Sequence, residues 1–164
     1  MPQEIERKFL VAVERVPDEA LRDGARFTQG YLSTRPVVRV RVAESPGREP
    51  EAWLTIKGPG GVARAEYEYP IPAAHAAEMV PLCVAVLHKT RYHVRVGAHT
   101  WDLDRYHGSL DGFWLAEVEL RDVDEPFERP PWITDEVSHD PRYTNVALAL
   151  AHADALRKGV RGDA

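Results

Sequence analysis

The chain is sparing in the residues that staple or anchor a protein. Among 164 residues it has one cysteine, Cys83, so no internal disulfide can form and no thiolate cluster can hold a metal. Placed in the apolar run PLCVAVL, Cys83 reads as a small packed residue. No apolar run approaches the roughly 20 residues that a membrane-spanning helix requires. Excess cationic charge is missing too: 21 Lys plus Arg stand against 26 Asp plus Glu, a formal net charge of -5. That balance argues against a general nucleic-acid or membrane-surface binder. The start shows no basic region leading into an apolar core and cleavage site, and the expectation is a cytoplasmic protein. Seven histidines never fall at the spacing of HExxH, and GPGG (58 to 61) lacks the Lys-Ser/Thr ending of a phosphate loop. Repeats, low-complexity tracts and linkers are absent, so residues 1 to 164 read as one domain.

What is present is alternation. Residues 36–42, 51–57, 63–71, 87–96, 99–106 and 113–123 run apolar and polar with a step of two, the period of strands. SPGREP (45 to 50), GPGG, VGAHT and HGSLDG punctuate them as turns or loops. Short, regular spacing predicts an antiparallel sheet or barrel. Helices are expected at 17–23, 72–82 and 145–158, with a brief turn around TDEVS and a frayed GVRGDA tail. Asn145, or Asp140 with Pro141 behind it, would cap the last helix.

The polar parity is unusual because it is charged, in pairs of one sign. Arg39 and Arg41 interleave with valines; Glu66 and Glu68 interleave with Tyr67 and Tyr69. Lys89 with Arg91, Asp102 with Asp104, and Glu117 with Glu119 repeat the device, and EIERK opens the chain with Glu4, Glu6 and Lys8 on one parity. Like charges at i and i+2 share a face and repel, so each strand gains nothing from them locally. They could face water, or cationic strands could lie beside anionic ones in surface ladders of about 0 to 1 kcal/mol per pair. A third arrangement explains more. A sheet closed into a barrel of about eight strands can hold one small ligand inside. Lys8, Arg39, Arg41, Lys57, Lys89 and Arg91 would then bind a polyanion such as a chain of phosphates. The acidic pairs would repel it unless divalent cations intervened, and carboxylates are the donors that hard Mg²⁺ or Mn²⁺ prefer.

On these residues the chain resembles the CYTH superfamily of triphosphate tunnel metalloenzymes. EIERKFLV resembles the family's Glu-x-Glu-x-Lys signature, and VRVRV, LTIKGPGG, AEYEYPI, KTRY, WDLDRY, AEVEL and DPRYTNVALA follow in its order. The resemblance implies an α+β fold: an eight-stranded antiparallel barrel forming a tunnel, with helices packed outside and a C-terminal helix. It implies metal-dependent hydrolysis of a linear triphosphate, with inorganic tripolyphosphate the leading substrate for so small a chain. Class IV adenylyl cyclase and thiamine triphosphatase are the enzymatic alternatives, and a non-catalytic polyphosphate-binding module the other. By resemblance Glu4, Glu6, Glu117 and Glu119 would be the main ligands of Mg²⁺ or Mn²⁺, with Glu66, Glu68, Asp102 and Asp104 supporting a second ion or its waters. Lys8, Arg39, Arg41, Lys57, Lys89 and Arg91 would hold the phosphates. Tyr31, in QGYL, matches a tyrosine paired with the N-terminal lysine, here Lys8, to orient or deprotonate the attacking water. A lysine near its unperturbed pKa of about 10.4 is a poor base, which favours orientation. The helix of RYTNVALA would close one tunnel end, with Arg142 or Tyr143 toward the phosphates, or would merely cover the barrel. Trp53 shares the parity of Thr55 and Lys57 and would stack on an organic group or pack at the rim. A homodimer is a further implication of the resemblance.

Overall fold

The computed structural model describes residues 2–162. Among them, nine strands form one antiparallel sheet: β1 (Gln3–Val11), β2 (Ala25–Thr34), β3 (Val37–Glu44), β4 (Glu51–Lys57), β5 (Ala63–Ile71), β6 (Ala85–Val96), β7 (His99–Tyr106), β8 (Trp114–Glu119) and β9 (Ile133–Glu136). Two α-helices join them, α1 (Ala73–Met79) and α2 (Asn145–Gly162). Neighbours run β5-β4-β3-β2-β6-β7-β8-β1, and β1 returns to β5, so eight strands close the expected barrel. The ninth, β9, adds to β1 outside the ring. No helix among the described residues is long and apolar enough to cross a membrane.

The seam is the loosest part of the wall. One edge of β1 pairs with β8 from Glu6 to Leu10, while the other meets β5 only at Gln3–Ile5 and β9 only at Phe9 and Val11. Between these, single contacts hold the gap: the Glu6 N–H donates to the Val62 carbonyl, the Val137 N–H to the Lys8 carbonyl, and the Lys8 N–H to Ser138 Oγ. Two residues of EIERK therefore sit where the barrel wall is thinnest.

Several local expectations change. Strand β2 was absent from the alternating segments, because its inward residues Phe27, Gln29 and Tyr31 carry no charge pair. The stretch around TDEVS pairs with β1 as β9 and is no mere turn. Residues 17–23 hold only a 3-10 turn, Asp18–Leu21, and the 72–82 helix splits into α1 and the 3-10 turn Val80–Leu82. The last helix continues to Gly162, so most of the GVRGDA tail is helical; its final two residues lie outside those described.

Apolar packing lies outside the barrel on most of its surface and inside it at one end. Ile5, Phe9, Trp101, Leu103, Ala116 and Val118 turn outward, under Val16, Leu120, Trp132 and Ile133. On another flank α1 lays Ala76 on Val40 and Ala52. Nearby, Gly30 lets Cys83 approach the back of β2: a Cβ built there would lie 2.5 Å from the Cys83 sulfur. At one mouth the inward parity becomes apolar, and Tyr31, Leu87, Tyr106 and Leu115 receive Leu148 and Ala149 of α2. The helix closes that end, the first of the two arrangements expected for it.

Candidate active site

Charged side chains fill the barrel because the strand period projects every second residue inward. On β3, Arg39 is buried; its Nη2 donates to Thr55 Oγ1 at 3.0 Å and Glu68 Oε2 at 3.2 Å. Arg41 lies 3.6 Å from the same carboxylate and over the rings of Phe27 and Trp53, at 5.0 and 5.5 Å. Burial, and then Arg39 and Arg91, lower the Arg41 pKa to about 10, a sign of crowded positive charge. The Nε atoms of both Arg39 and Arg41 are buried without an acceptor among the described residues. Such orphaned donors carry a cost that an anionic ligand would relieve. Trp53 faces inward as its parity predicts.

Across the barrel, Asp104 is wholly buried and accepts from Lys89 Nζ at 2.6 Å and from Arg91 Nε and Nη2 at 2.7 and 2.8 Å. Burial pushes the Asp104 carboxyl up, but Arg91 and Lys89 outweigh it, and it is held below the usual range. Lys89 is pulled down to about 8 by burial and by Arg91. Arg91 also reaches Asp102 at 2.7 Å and Glu117 at 3.3 Å. Asp104 and Glu68 thus face cations; Glu4, Glu6, Glu66, Glu117 and Glu119 gather nearer one another, with Lys8, Lys57 and Arg64 among them.

That gathering lies along the β5-β1-β8 seam. Lys57 Nζ bridges Glu4, at 2.9 Å, and Glu66, at 2.8 Å, and Arg64 Nε donates to Glu4 at 3.2 Å. Burial raises the Glu4 carboxyl, and Lys57 with Arg64 reverses this, bringing it to about 2. Glu6 goes the other way, to about 8, because it lies deep in the barrel against Glu117. Glu117 is itself held low: burial raises it, and Lys8, Arg91 and Lys89 overcome that. The environment therefore favours a charged Glu117 beside a neutral Glu6. Glu119 is raised by burial and by Glu4, Glu66 and Asp102. In this arrangement no three acidic or histidine side chains among the described residues converge as ready-made ligands. The donor set nevertheless fits a hard divalent cation: it is all carboxylate oxygen, concentrated enough to retain a proton at neutral pH.

Lys8 stands between the two halves, 3.4 Å from Glu117 and 3.2 Å from the carbonyl of Tyr143, to which it donates. Burial lowers its pKa, but Glu117 and Glu6 outweigh burial and raise it. This environment favours a charged ammonium at Lys8 over a neutral base. Tyr31 makes no hydrogen bond to Lys8; its hydroxyl accepts from Gln29 Nε2 at 2.7 Å, and burial pushes its pKa up. Both residues nevertheless line one cavity with Arg39, Lys57, Arg64 and the start of α2.

Two residues here were not singled out from sequence. Arg64 shares the parity of Glu66 and Glu68, and that parity was the available signal. Asn145 was read only as a helix cap, whereas Thr144 Oγ1 performs that task by accepting the Ala147 N–H at 3.1 Å. The Asn145 side chain turns into the barrel, accepting from Lys89 at 3.3 Å and Tyr106 at 2.8 Å. Arg142 points away into an exposed pair with Asp140, and the Tyr143 ring stacks on Phe113.

Comparison with known proteins agrees with this geometry. The family model described as the CYTH domain matches residues 2–145. A protein of Acetivibrio thermocellus named inorganic triphosphatase is 39% identical over 153 residues, covering 90% of this chain and 94% of its own. Another of that name from Nitrosomonas europaea is 37% identical, covering 90% and 97%. The crystal structure of an inorganic triphosphatase superposes with a TM-score of 0.62 at 34% identity, over 92% of this chain and 96% of the other. Barrel, inward charges and these relatives lead to one conclusion: the chain belongs to the CYTH domain family.

Proposed function

We propose that this protein is a metal-dependent triphosphatase that hydrolyses inorganic tripolyphosphate to pyrophosphate and phosphate inside the barrel. The observation that carries this is the side-by-side placement of two pockets. One is lined by Lys8, Arg39, Lys57 and Arg64 with no carboxylate; the other by Glu4 and Glu6, with Lys8 and Arg64 shared. The first fits phosphate oxygens and the second fits Mg²⁺ or Mn²⁺. The names of the relatives support the same substrate.

Glu4, Glu6, Glu66, Glu117 and Glu119, with Asp102 at the edge, would hold the ion. Bound there, it would supply Lewis acidity toward phosphoryl oxygens and lower the pKa of water. Everything else is positioning and charge. Arg39, Arg41, Lys57, Lys89 and Arg91 fix the chain of phosphates so that water can attack the terminal phosphorus in line. A bond forms from the water oxygen to the terminal phosphorus as the bond to the bridging oxygen breaks, pyrophosphate leaves with that oxygen's electron pair, and the water's proton passes to the phosphate products or to bulk water. Lys8, kept charged by Glu117 and Glu6, stabilises negative charge on phosphate oxygens during transfer. Asp104 and Glu68 hold the cations in place. The names of these relatives also favour an unsubstituted triphosphate over the cyclase reading.

The test offers purified protein tripolyphosphate, ATP and thiamine triphosphate, with Mg²⁺ or Mn²⁺, and measures phosphate, pyrophosphate and cyclic AMP. Phosphate and pyrophosphate from tripolyphosphate are expected. Cyclic AMP from ATP would replace the hydrolase reading with a cyclase, and tight binding without turnover would leave only a polyphosphate-binding module.

A further inference from the structure

We propose that Ser138 is a positioning residue for Lys8, holding its main chain from outside the barrel where β1 has no strand partner on that edge. The proposal rests on the triphosphatase reading for what the held ammonium does, and adds a residue that makes no charge of its own.

A buried strand residue needs a partner for its N–H and another for its C=O. Lys8 is buried, and its neighbours Glu6–Leu10 follow β8 on one edge. On the opposite edge the pairing with β5 stops at Ile5 and that with β9 starts at Phe9. Both main-chain groups of Lys8 turn to this open stretch. The Val137 N–H donates to the Lys8 carbonyl at 2.8 Å, as a neighbouring strand would. The Lys8 N–H instead donates to a side chain, Ser138 Oγ, at 2.9 Å. Where a regular ladder would place a carbonyl, Ser138 places a hydroxyl.

A hydroxyl rotates freely unless its own proton is also taken. The nearer acceptor for that proton is Glu136 Oε1, at 2.7 Å, against 3.5 Å for the Lys8 carbonyl. Arg7 fixes the Glu136 carboxylate with two bonds, Nε to Oε1 at 2.6 Å and Nη2 to Oε2 at 2.5 Å, the paired geometry that makes charge-assisted hydrogen bonds strong. Arg7 and Lys8 are consecutive, so Arg7, Glu136 and Ser138 close a ring of hydrogen bonds around one peptide group. The same segment reaches the far end of the side chain. Val137 and Asp140 carbonyls accept from the Asp140 and Tyr143 N–H groups, each at 3.1 Å, and the Tyr143 carbonyl accepts from Lys8 Nζ at 3.2 Å. Residues 136–143 thus hold Lys8 at both main chain and ammonium, and with it the 3.4 Å approach to Glu117. Ser138 is the link by which the outer ion pair sets the place of an inner cation.

The experiment compares Ser138→Ala, which removes the hydroxyl, with Ser138→Thr, which keeps it; Ser138 borders open space in two pockets, so the added methyl has room. Two readouts are taken. Tripolyphosphate turnover with Mg²⁺ is expected to fall about tenfold in kcat for Ser138→Ala, with KM changed less than about twofold, the pattern of a displaced group that acts in the transition state. Ser138→Thr should restore kcat. The second readout needs no turnover: the chain has four lysines, so ¹³C-lysine labelling gives a small set in which the Lys8 Cε resonance can be followed by NMR. That resonance is expected to move in Ser138→Ala and to return in Ser138→Thr. A Ser138→Ala protein that melts lower while its Lys8 resonance and kcat stay put would overturn the proposal, because Ser138 would then serve stability alone. Failure of threonine to restore either readout would overturn it as well. If the unaltered protein hydrolyses tripolyphosphate and Ser138→Ala matches it in both readouts, the positioning role fails and the enzymatic reading stands. If the unaltered protein hydrolyses nothing while the Lys8 resonance moves and returns as expected, the reverse holds.

Discussion

Asp104 shows how much a single inward residue carries. It is wholly buried, and its two oxygens satisfy Lys89 and Arg91 together. Replacing it by Asn would leave both buried cations short of a counter-charge, a change that typically costs about 3–5 kcal/mol. Asp104→Asn should lower unfolding free energy by that order in denaturant titration; a loss well under 1 kcal/mol would mean that water already reaches the pair. Glu4 is different, because Lys57 still has Glu66 at 2.8 Å when it is neutralised. Glu4→Gln should fold normally and reduce turnover on the order of 10²-fold, the scale seen when a metal environment is disturbed. Full activity at saturating Mg²⁺ would take Glu4 out of the metal set. The charged partners of these residues were legible in the sequence, since strand parity places Glu4, Glu6 and Lys8 on one face. Which carboxylate faces a cation and which faces another carboxylate was not legible. Asp102 and Asp104 have the same parity, and only the pairing of β7 with β6 and β8 separates them.

Strands and helices show where pattern reading loses its grip. The segment ARFTQGYLST forms a central strand between β3 and β6, yet its inward residues are uncharged and it lacks the paired charges that mark the other strands. Phe27 and Tyr31 alternating with polar residues was the weaker signal available. Strand β9 is four residues long and largely exposed, and it exists because β1 has a free edge beyond β5. No local property of TDEVS announces that. The outward face of β6 carries a further consequence. His88 Nδ1 lies 3.3 Å from Thr28 Oγ1, and His107 Nε2 lies 2.7 Å from Thr90 Oγ1. Burial lowers both pKa values, reinforced at His88 by His152 and Arg26 and at His107 by Arg105 and Arg26. A histidine whose folded pKa is depressed binds its proton more readily in the unfolded chain. Its contribution to stability is therefore present above about 6.5 and is lost as pH falls through the folded value. The melting temperature of the unaltered protein, taken relative to a His88→Gln/His107→Gln variant, should fall between pH 7.5 and 5. A constant difference would show that neither ring resists protonation in the fold.

Considered as a whole, the molecule encloses two opposite charge populations in one space, and they meet where Arg91 lies 3.3 Å from Glu117 and Lys57 lies 2.9 Å from Glu4. Outside, apolar residues pack under α1 and the loops; inside, Arg39, Arg41, Lys89 and Arg91 crowd one region and Glu4, Glu6, Glu66, Glu117 and Glu119 another. Lys57 bridges Glu4 and Glu66, and burial beside Glu117 favours the neutral form of Glu6, so both populations are partly quenched from within. A polyphosphate alone would draw Lys57 away and leave the glutamates repelling it. A divalent ion alone would displace the Glu6 proton and compete with Lys57. Each ligand removes the obstacle to the other, so binding should be synergistic. At a hundred times its dissociation constant a ligand stabilises the folded state by about 2.7 kcal/mol, which for a chain of this size raises the melting temperature by roughly 5–10 °C. Scanning calorimetry at pH 7.5 should show that shift with Mg²⁺ and pyrophosphate together, a product analogue that is not consumed. Either alone should give a shift smaller than half of it. Purely additive shifts would mean that the two populations bind independently, and the reason for enclosing both in one barrel would then lie elsewhere.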